Sequence, residues 1–171
     1  MLVEETFIEG LFICTPRVFS DDRGHFFEAF NESIPSREWV QDNQSYSIGG
    51  VLRGLHYQKQ PHGQSKLVRC LEGAIFDVVV DLRPTSPTYL QHFSAELSSH
   101  NNKMLLIGPE FAHGFLVLSE CARVLYKVDK SRVPESESGL RFDDPALNIK
   151  WPHVPSRINE RDAKWPLLNR K

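Results

Sequence analysis

Along this 171-residue chain, apolar positions recur mostly every second residue, in short runs separated by turn-forming residues. The stretch "KLVRCLEGAIFDVVVDLR" (Lys66 to Arg83) splits at a Glu-Gly turn into two β-rich halves. In the second half Val78, Val80 and Leu82 share one face, while Asp77, Val79 and Asp81 share the other. "HFSAEL" (His92 to Leu97), "KMLLIG" (Lys103 to Gly108), "HGFLVLS" (His113 to Ser119) and "ARVLYKVD" (Ala122 to Asp129) predict further strands. "RPTSPT", "SSHNN", "GPEFA" and "SEC" lie between them and carry the Gly, Pro, Asn and Ser of turns. Strands arriving every ten or so residues predict an all-β sandwich or barrel.

Only "NESIPSREWV" (Asn31 to Val40) predicts a helix, which Pro35 confines to a turn or two. From Arg132 onward, Pro134, Pro145, Pro152 and Pro155 predict ordered loop with short helical turns, packed down by Trp151 and Trp165. No internal repeat, low-complexity linker or break in composition divides the chain, so residues 1–171 are expected to form one domain.

Composition narrows the class. A content of 40% hydrophobic and 25% charged residues is ordinary for a globular protein. A net charge of -2 argues against a nucleic-acid binder but leaves room for a local cationic pocket. The start "MLVEETFIEG" puts Glu4 and Glu5 where a signal peptide needs basic residues, and no apolar run approaches the ~18 residues of a membrane span. Cys14, Cys70 and Cys121 are odd in number and widely spaced, which predicts reduced thiols in a cytoplasm rather than a disulfide or zinc framework.

Candidate chemistry centres on "VLRGLHYQ" (Val51 to Gln58). There His56 has the parity of Leu52 and Gly54, whereas Arg53 has that of Leu55 and Tyr57. In "ARVLYKVD" Tyr126 shares a face with Val124 and Val128 and so points inward. Taken alone, His56 reads first as a satisfied core histidine and Tyr126 as a core tyrosine bonded to a carbonyl. Arg23, Arg53, Lys66 and Arg69 form a cationic set suited to phosphate, though each singly reads as a solvated or salt-bridged residue. A metal would have to use His56 and His113, but no HxH or HxxxH pair supports one.

Taken together, "VQDNQSYS", "GVLRGLHYQ", "KLVRC", "FDVVVDLR", "SPT", "FAHGFLVLSE", "LYK" and "WP" occur in the order seen in dTDP-4-dehydrorhamnose 3,5-epimerases. The resemblance runs from about Phe7 to Leu167. It implies a cupin-like jelly roll (a double-stranded β-helix) with short peripheral helices, usually a homodimer, working without metal or cofactor on a nucleotide-diphosphate sugar, dTDP favoured. It implies His56 as catalytic base with Asp162 behind it, Tyr126 as general acid, and Lys66 as the cation beside the sugar's keto oxygen. Arg23 and Arg53 match diphosphate-holding residues, and Phe26, Glu28, Gln41, Asn43 and His113 match others of the pocket. Asp81 also falls in a matching motif.

The chemistry suits those roles. A proton beside a ketone is lost only if the enolate is stabilised, and a fixed cation in a dry site supplies several kcal/mol for such a charge. Neutral imidazole is an apt base near pH 7, and a carboxylate behind it fixes the tautomer. Inverting a carbon needs a proton from the opposite face, which is a place for a tyrosine.

Three departures stand out. Ser131 and Arg132 occupy positions where the family carries aromatics, Gln44 replaces a histidine, and Tyr46 replaces a common basic residue. Arg132 is accordingly expected to contact nucleotide or sugar. The alternatives on this scaffold are a 3,4-ketoisomerase and a non-catalytic sugar-binding cupin. Because Arg53 and His56 have opposite parity, a bulge or bend is expected at Gly54.

Overall fold

The computed structural model describes residues 1–35 and 38–168. Its strands are β1 (Leu2–Glu5), β2 (Phe12–Thr15), β3 (Val18–Asp21), β4 (Gly24–Phe27), β5 (Gln41–Ile48), β6 (Leu52–Gln58), β7 (Lys66–Glu72), β8 (Ala74–Asp81), β9 (His92–Ser98), β10 (Met104–Ile107), β11 (Phe111–Val117), β12 (Cys121–Val128) and β13 (Glu137–Gly139). A 3-10 turn covers Pro134–Ser136, and the one α-helix among the described residues is α1 (Glu160–Ala163). The expected all-β class holds, and the interior strands lie within a residue or two of their predicted bounds. The helix expected over Asn31–Val40 is absent from its described residues, which form turns and extended chain; Ser36 and Arg37 lie outside the described residues.

Two antiparallel sheets face each other, ordered β1-β2-β10-β7-β12-β5 and β13-β6-β11-β8-β9, with β3-β4 as a separate ribbon. Alternation decides what lies between them. Val68, Cys70, Leu105, Ala122 and Val124 of the first sheet meet Ile75, Val79, Leu97, Phe111 and Phe115 of the second in one buried cluster. The outer face of the second sheet carries Leu55, Val78, Val80 and Ala112, covered by Leu140, Leu147 and Trp151 from the proline-rich C-terminal segment. The indole of Trp151 also donates to the Phe142 carbonyl at 2.8 Å. The outer face of the first sheet buries Leu67, Met104 and Leu106 beneath Ile34 and Trp39.

Asp81, at the end of β8, ties down the loop that follows. Its carboxylate accepts from Arg83 Nε and Nη2, Ser86 Oγ and Thr88 Oγ1 at 2.7–2.9 Å. The "DLRPTSPT" segment is therefore a polar staple of the fold, which gives Asp81 a structural task.

Candidate active site

β6 carries the break that builds the site. Opposite it, β11 pairs His113 with His56 and Phe115 with Arg53, so two steps on one strand span three on the other. The bulge sits at Gly54, whose φ of +123° is a glycine conformation. A Cβ there would lie 2.5 Å from Gly114 Cα, so the two strands approach through paired glycines. Leu55 and Tyr57 keep the outer face, while the bulge returns Arg53 to the inner side beside His56. The expected irregularity is present, and both side chains face one cavity of about 390 Å³.

His56 Nε2 lies 2.7 Å from Asp162 Oδ1. Asp162 is fully buried, and its Oδ2 accepts the Gly54 N–H at 3.0 Å. A carboxylate can only accept, so the imidazole proton sits on Nε2 and Nδ1 is the free nitrogen. α1 presents Asp162: Asn159 caps it, its Oδ1 accepting the Asp162 N–H at 2.7 Å. Burial pushes the Asp162 carboxyl up, but the bonds from His56 and Gly54 outweigh it and hold the group below its ordinary range.

Tyr126 comes from β12 on the facing sheet, and its hydroxyl lies 3.0 Å from Ser45 Oγ on β5. Burial raises its pKa well above the usual phenol range against the opposing Ser45 bond, so it remains a proton donor at neutral pH. Lys66, at the start of β7, is pulled down by burial to about 8, with the charges of Asp77 and Glu137 opposing the fall. His113 on β11 is buried and bonds Asp77 on β8 at 2.9–3.0 Å. The Asp77 carboxyl is raised by its complete burial, against the pull of His113 and Lys66. His56 and His113, the pair a metal would have used, thus each face a carboxylate of their own.

The C-terminal segment closes one end. Arg132 grips Glu137 through Nε and Nη2 at 2.8 and 2.7 Å, and Arg161 Nη1 reaches the same carboxylate at 2.8 Å. Arg132 does line the cavity, as do Asn43, Gln44 and Gln64. Gln41 lines an adjoining recess, its amide donating to Asn43 Oδ1 at 2.6 Å. Arg53 is steadied by Ser47 Oγ at 2.9 Å and the Tyr46 carbonyl at 3.2 Å.

Three expected pocket residues lie elsewhere in the chain. Arg23 and Phe26 are on the β3–β4 ribbon, where Arg23 bonds Asp21 at 2.6 Å. Glu28 follows that ribbon and accepts from Asn31. The ribbon lies against the outer face of the first sheet, because Phe27 stacks on Arg69, which shares the parity of outward-facing Leu67. The cationic set read from the sequence is therefore divided: Arg53 and Lys66 are in the cavity, Arg23 and Arg69 are not.

Sequence reasoning passed over Ser45, Asp77, Glu137 and Arg161. Asp77 did leave a signal, an acid sharing the inward face of a strand with Val79. Ser45 and Glu137 left none, since a serine in an edge strand and a glutamate in a segment that reads as loop are ordinary.

The chain is similar to known proteins along nearly its whole length. A family model described as dTDP-4-dehydrorhamnose 3,5-epimerase matches residues 5–170. The dTDP-4-dehydrorhamnose 3,5-epimerase of Salmonella typhimurium is 44% identical, over 99% of this chain and 96% of its own length. A 3,5-epimerase from Legionella pneumophila, solved with dTDP-4-keto-L-rhamnose, superposes with a TM-score of 0.92 at 41% identity, covering 97% of this chain and 92% of that one. A 3'-monoepimerase from Streptomyces bikiniensis, solved with dTDP-quinovose, gives 0.89 at 32% identity, covering 95% and 85%.

Proposed function

The chain belongs to the dTDP-4-dehydrorhamnose 3,5-epimerase family, and from that footing we propose that it inverts C5 and C3 of a dTDP-linked 4-keto-6-deoxy hexose. The observation that carries this reading is the convergence of the His56–Asp162 pair, Tyr126 and Lys66 on one cavity from two facing sheets. His56 Nδ1 takes the proton from the carbon beside the ketone, and Asp162 stabilises the imidazolium. The electron pair moves onto the keto oxygen, where Lys66 meets the charge. Tyr126 returns a proton from the opposite sheet, so the carbon closes with inverted configuration. The sequence of steps is redox-neutral and calls for no co-reactant.

Arg53 suits the diphosphate, whose remote binding energy orients the ring. Arg132 and Arg161, sharing one carboxylate, leave a surplus positive charge at the mouth for the nucleotide end. We read residues 1–171 as one domain working as a homodimer. Arg23, Phe26 and Glu28 cannot serve their own pocket from the outer face of the sheet, but a second copy could receive them. Exposed Val18, Phe19 and Phe26 on the ribbon, and Tyr46 and Ile48 on the edge strand β5, give that contact its apolar surface. A cytoplasmic site suits the three free cysteines.

Incubation with dTDP-4-keto-6-deoxyglucose in deuterated water tests the reading. Deuterium is expected at C5 and C3 of the product, and its loss in His56→Asn. Absence of label at both carbons in the wild type would refute an epimerase, and migration of the carbonyl to C3 with C5 unlabelled would mark a ketoisomerase.

A further inference from the structure

Each inversion leaves the site in the wrong protonation state. His56 has gained a proton and Tyr126 has lost one, on opposite sides of the sugar. A tyrosinate cannot return a second proton, so it must be reloaded before the other carbon, or the next sugar, is processed. With the sugar in place, the direct way from His56 to Tyr126 is filled by the substrate.

The structure offers one hydroxyl beside the phenol. Ser45 Oγ, 3.0 Å from Tyr126 Oη, is the sole hydrogen-bond partner of that phenol among the described residues. Ser45 is half-buried on β5, the edge of its sheet, and Asn43, two residues away on the same face, is exposed; both line the cavity. Its hydroxyl thus touches the acid on one side and, on the other, lies near exposed Asn43 at the edge of the cavity. A serine hydroxyl both donates and accepts, so it can pass a proton without holding a charge.

We propose that Ser45 is the relay that reloads Tyr126. This rests on Tyr126 being the acid. In the step, the Ser45 O–H bond breaks as its proton forms the Tyr126 O–H bond. At the same moment Ser45 Oγ takes a proton from a water on its solvent side. The hydroxide left there is neutralised by the proton that His56 releases to solvent, so the cycle balances. The Ser45 bond also steadies the phenolate form, opposing the effect of burial on Tyr126.

The test is rapid quench of the full-length protein with excess dTDP-4-keto-6-deoxyglucose in deuterated water, following label at each carbon. In Ser45→Ala the first deuteron delivered per site is expected at close to the wild-type rate. Every later one, at the other carbon or in the next sugar, should slow by about tenfold or more, and Ser45→Thr should restore the wild-type pattern. If first and later deuterons slow by one common factor, or none slows, Ser45 merely places the ring and the relay is wrong. Failure of the underlying reading looks different, since Tyr126→Phe would then form inverted product as fast as wild type.

Discussion

His56 and Asp162 stand 106 positions apart in the chain and 2.7 Å apart in the fold. The contact joins a strand of the sheet to a one-turn helix near the C-terminus. Asp162 has no other side-chain hydrogen-bond donor among the described residues, its second oxygen being taken by the Gly54 N–H. Replacing Asp162 by Asn keeps the shape but offers His56 a neutral partner. Turnover should fall roughly 10²–10⁴-fold, the range a positioned general base supplies, with KM little changed. Steady-state kinetics of Asp162→Asn check it.

Lys66 links activity and stability to pH with opposite signs. Its pKa is lowered from 10.5 to about 8 by burial, so rising pH neutralises the cation in the folded protein first. The kcat/KM profile should therefore lose its upper limb around pH 8. The unfolded chain binds more protons than the native one between about 8 and 10.5, so this group's contribution to stability rises with pH across that window. Lys66→Met should abolish activity while being no less stable than wild type at pH 7. Urea titrations at pH 7 and 10 test the stability arm.

Gly54 holds the bulge. An alanine there meets a φ of +123° and a Cβ-to-backbone approach of 2.5 Å. Gly54→Ala is expected to cost about 2–5 kcal/mol from strain and overpacking together, and to disable His56 and Arg53 at once. Denaturation midpoints and turnover measured on the same preparation check both effects.

If Arg23 serves the pocket of a second copy, inactive variants should complement each other. In a mixed dimer of Arg23→Ala and His56→Asn, one pocket has the intact His56 of one chain and the intact Arg23 of the other. An equimolar remixed pair should recover about a quarter of wild-type activity, following random pairing of a two-fold dimer. No recovery, with dimers exchanging, would show that Arg23 does not act across the dimer.

How much of this was legible beforehand follows from the range of each signal. The strands β7 to β12 were legible because period-two alternation is local and their turns carry Gly, Asn, Pro and Ser. The helix over Asn31–Val40 misled because a short polar run with one proline has no period to decide it, and contacts beneath Ile34 and Trp39 settled the chain there. His56, Tyr126, Lys66 and Asp162 were named by matching motifs in order, a resemblance rather than a derivation. Residue by residue, the histidine and tyrosine of two strands remained open to a structural reading.

The sequence by itself determined the all-β class, the inward parity of Tyr126 and the need for an irregularity at Gly54. These depend on alternation along single strands, which a neighbour cannot change. Tertiary structure alone decided that Asp162 backs His56, that Ser45 meets Tyr126 across two strands, and that the ribbon bearing Arg23 lies outside its own pocket. Each of these is a meeting of residues distant in sequence. Its geometry is fixed by sheet order, by the bulge at Gly54 and by which face of a sheet a segment packs against, and no local pattern encodes those three.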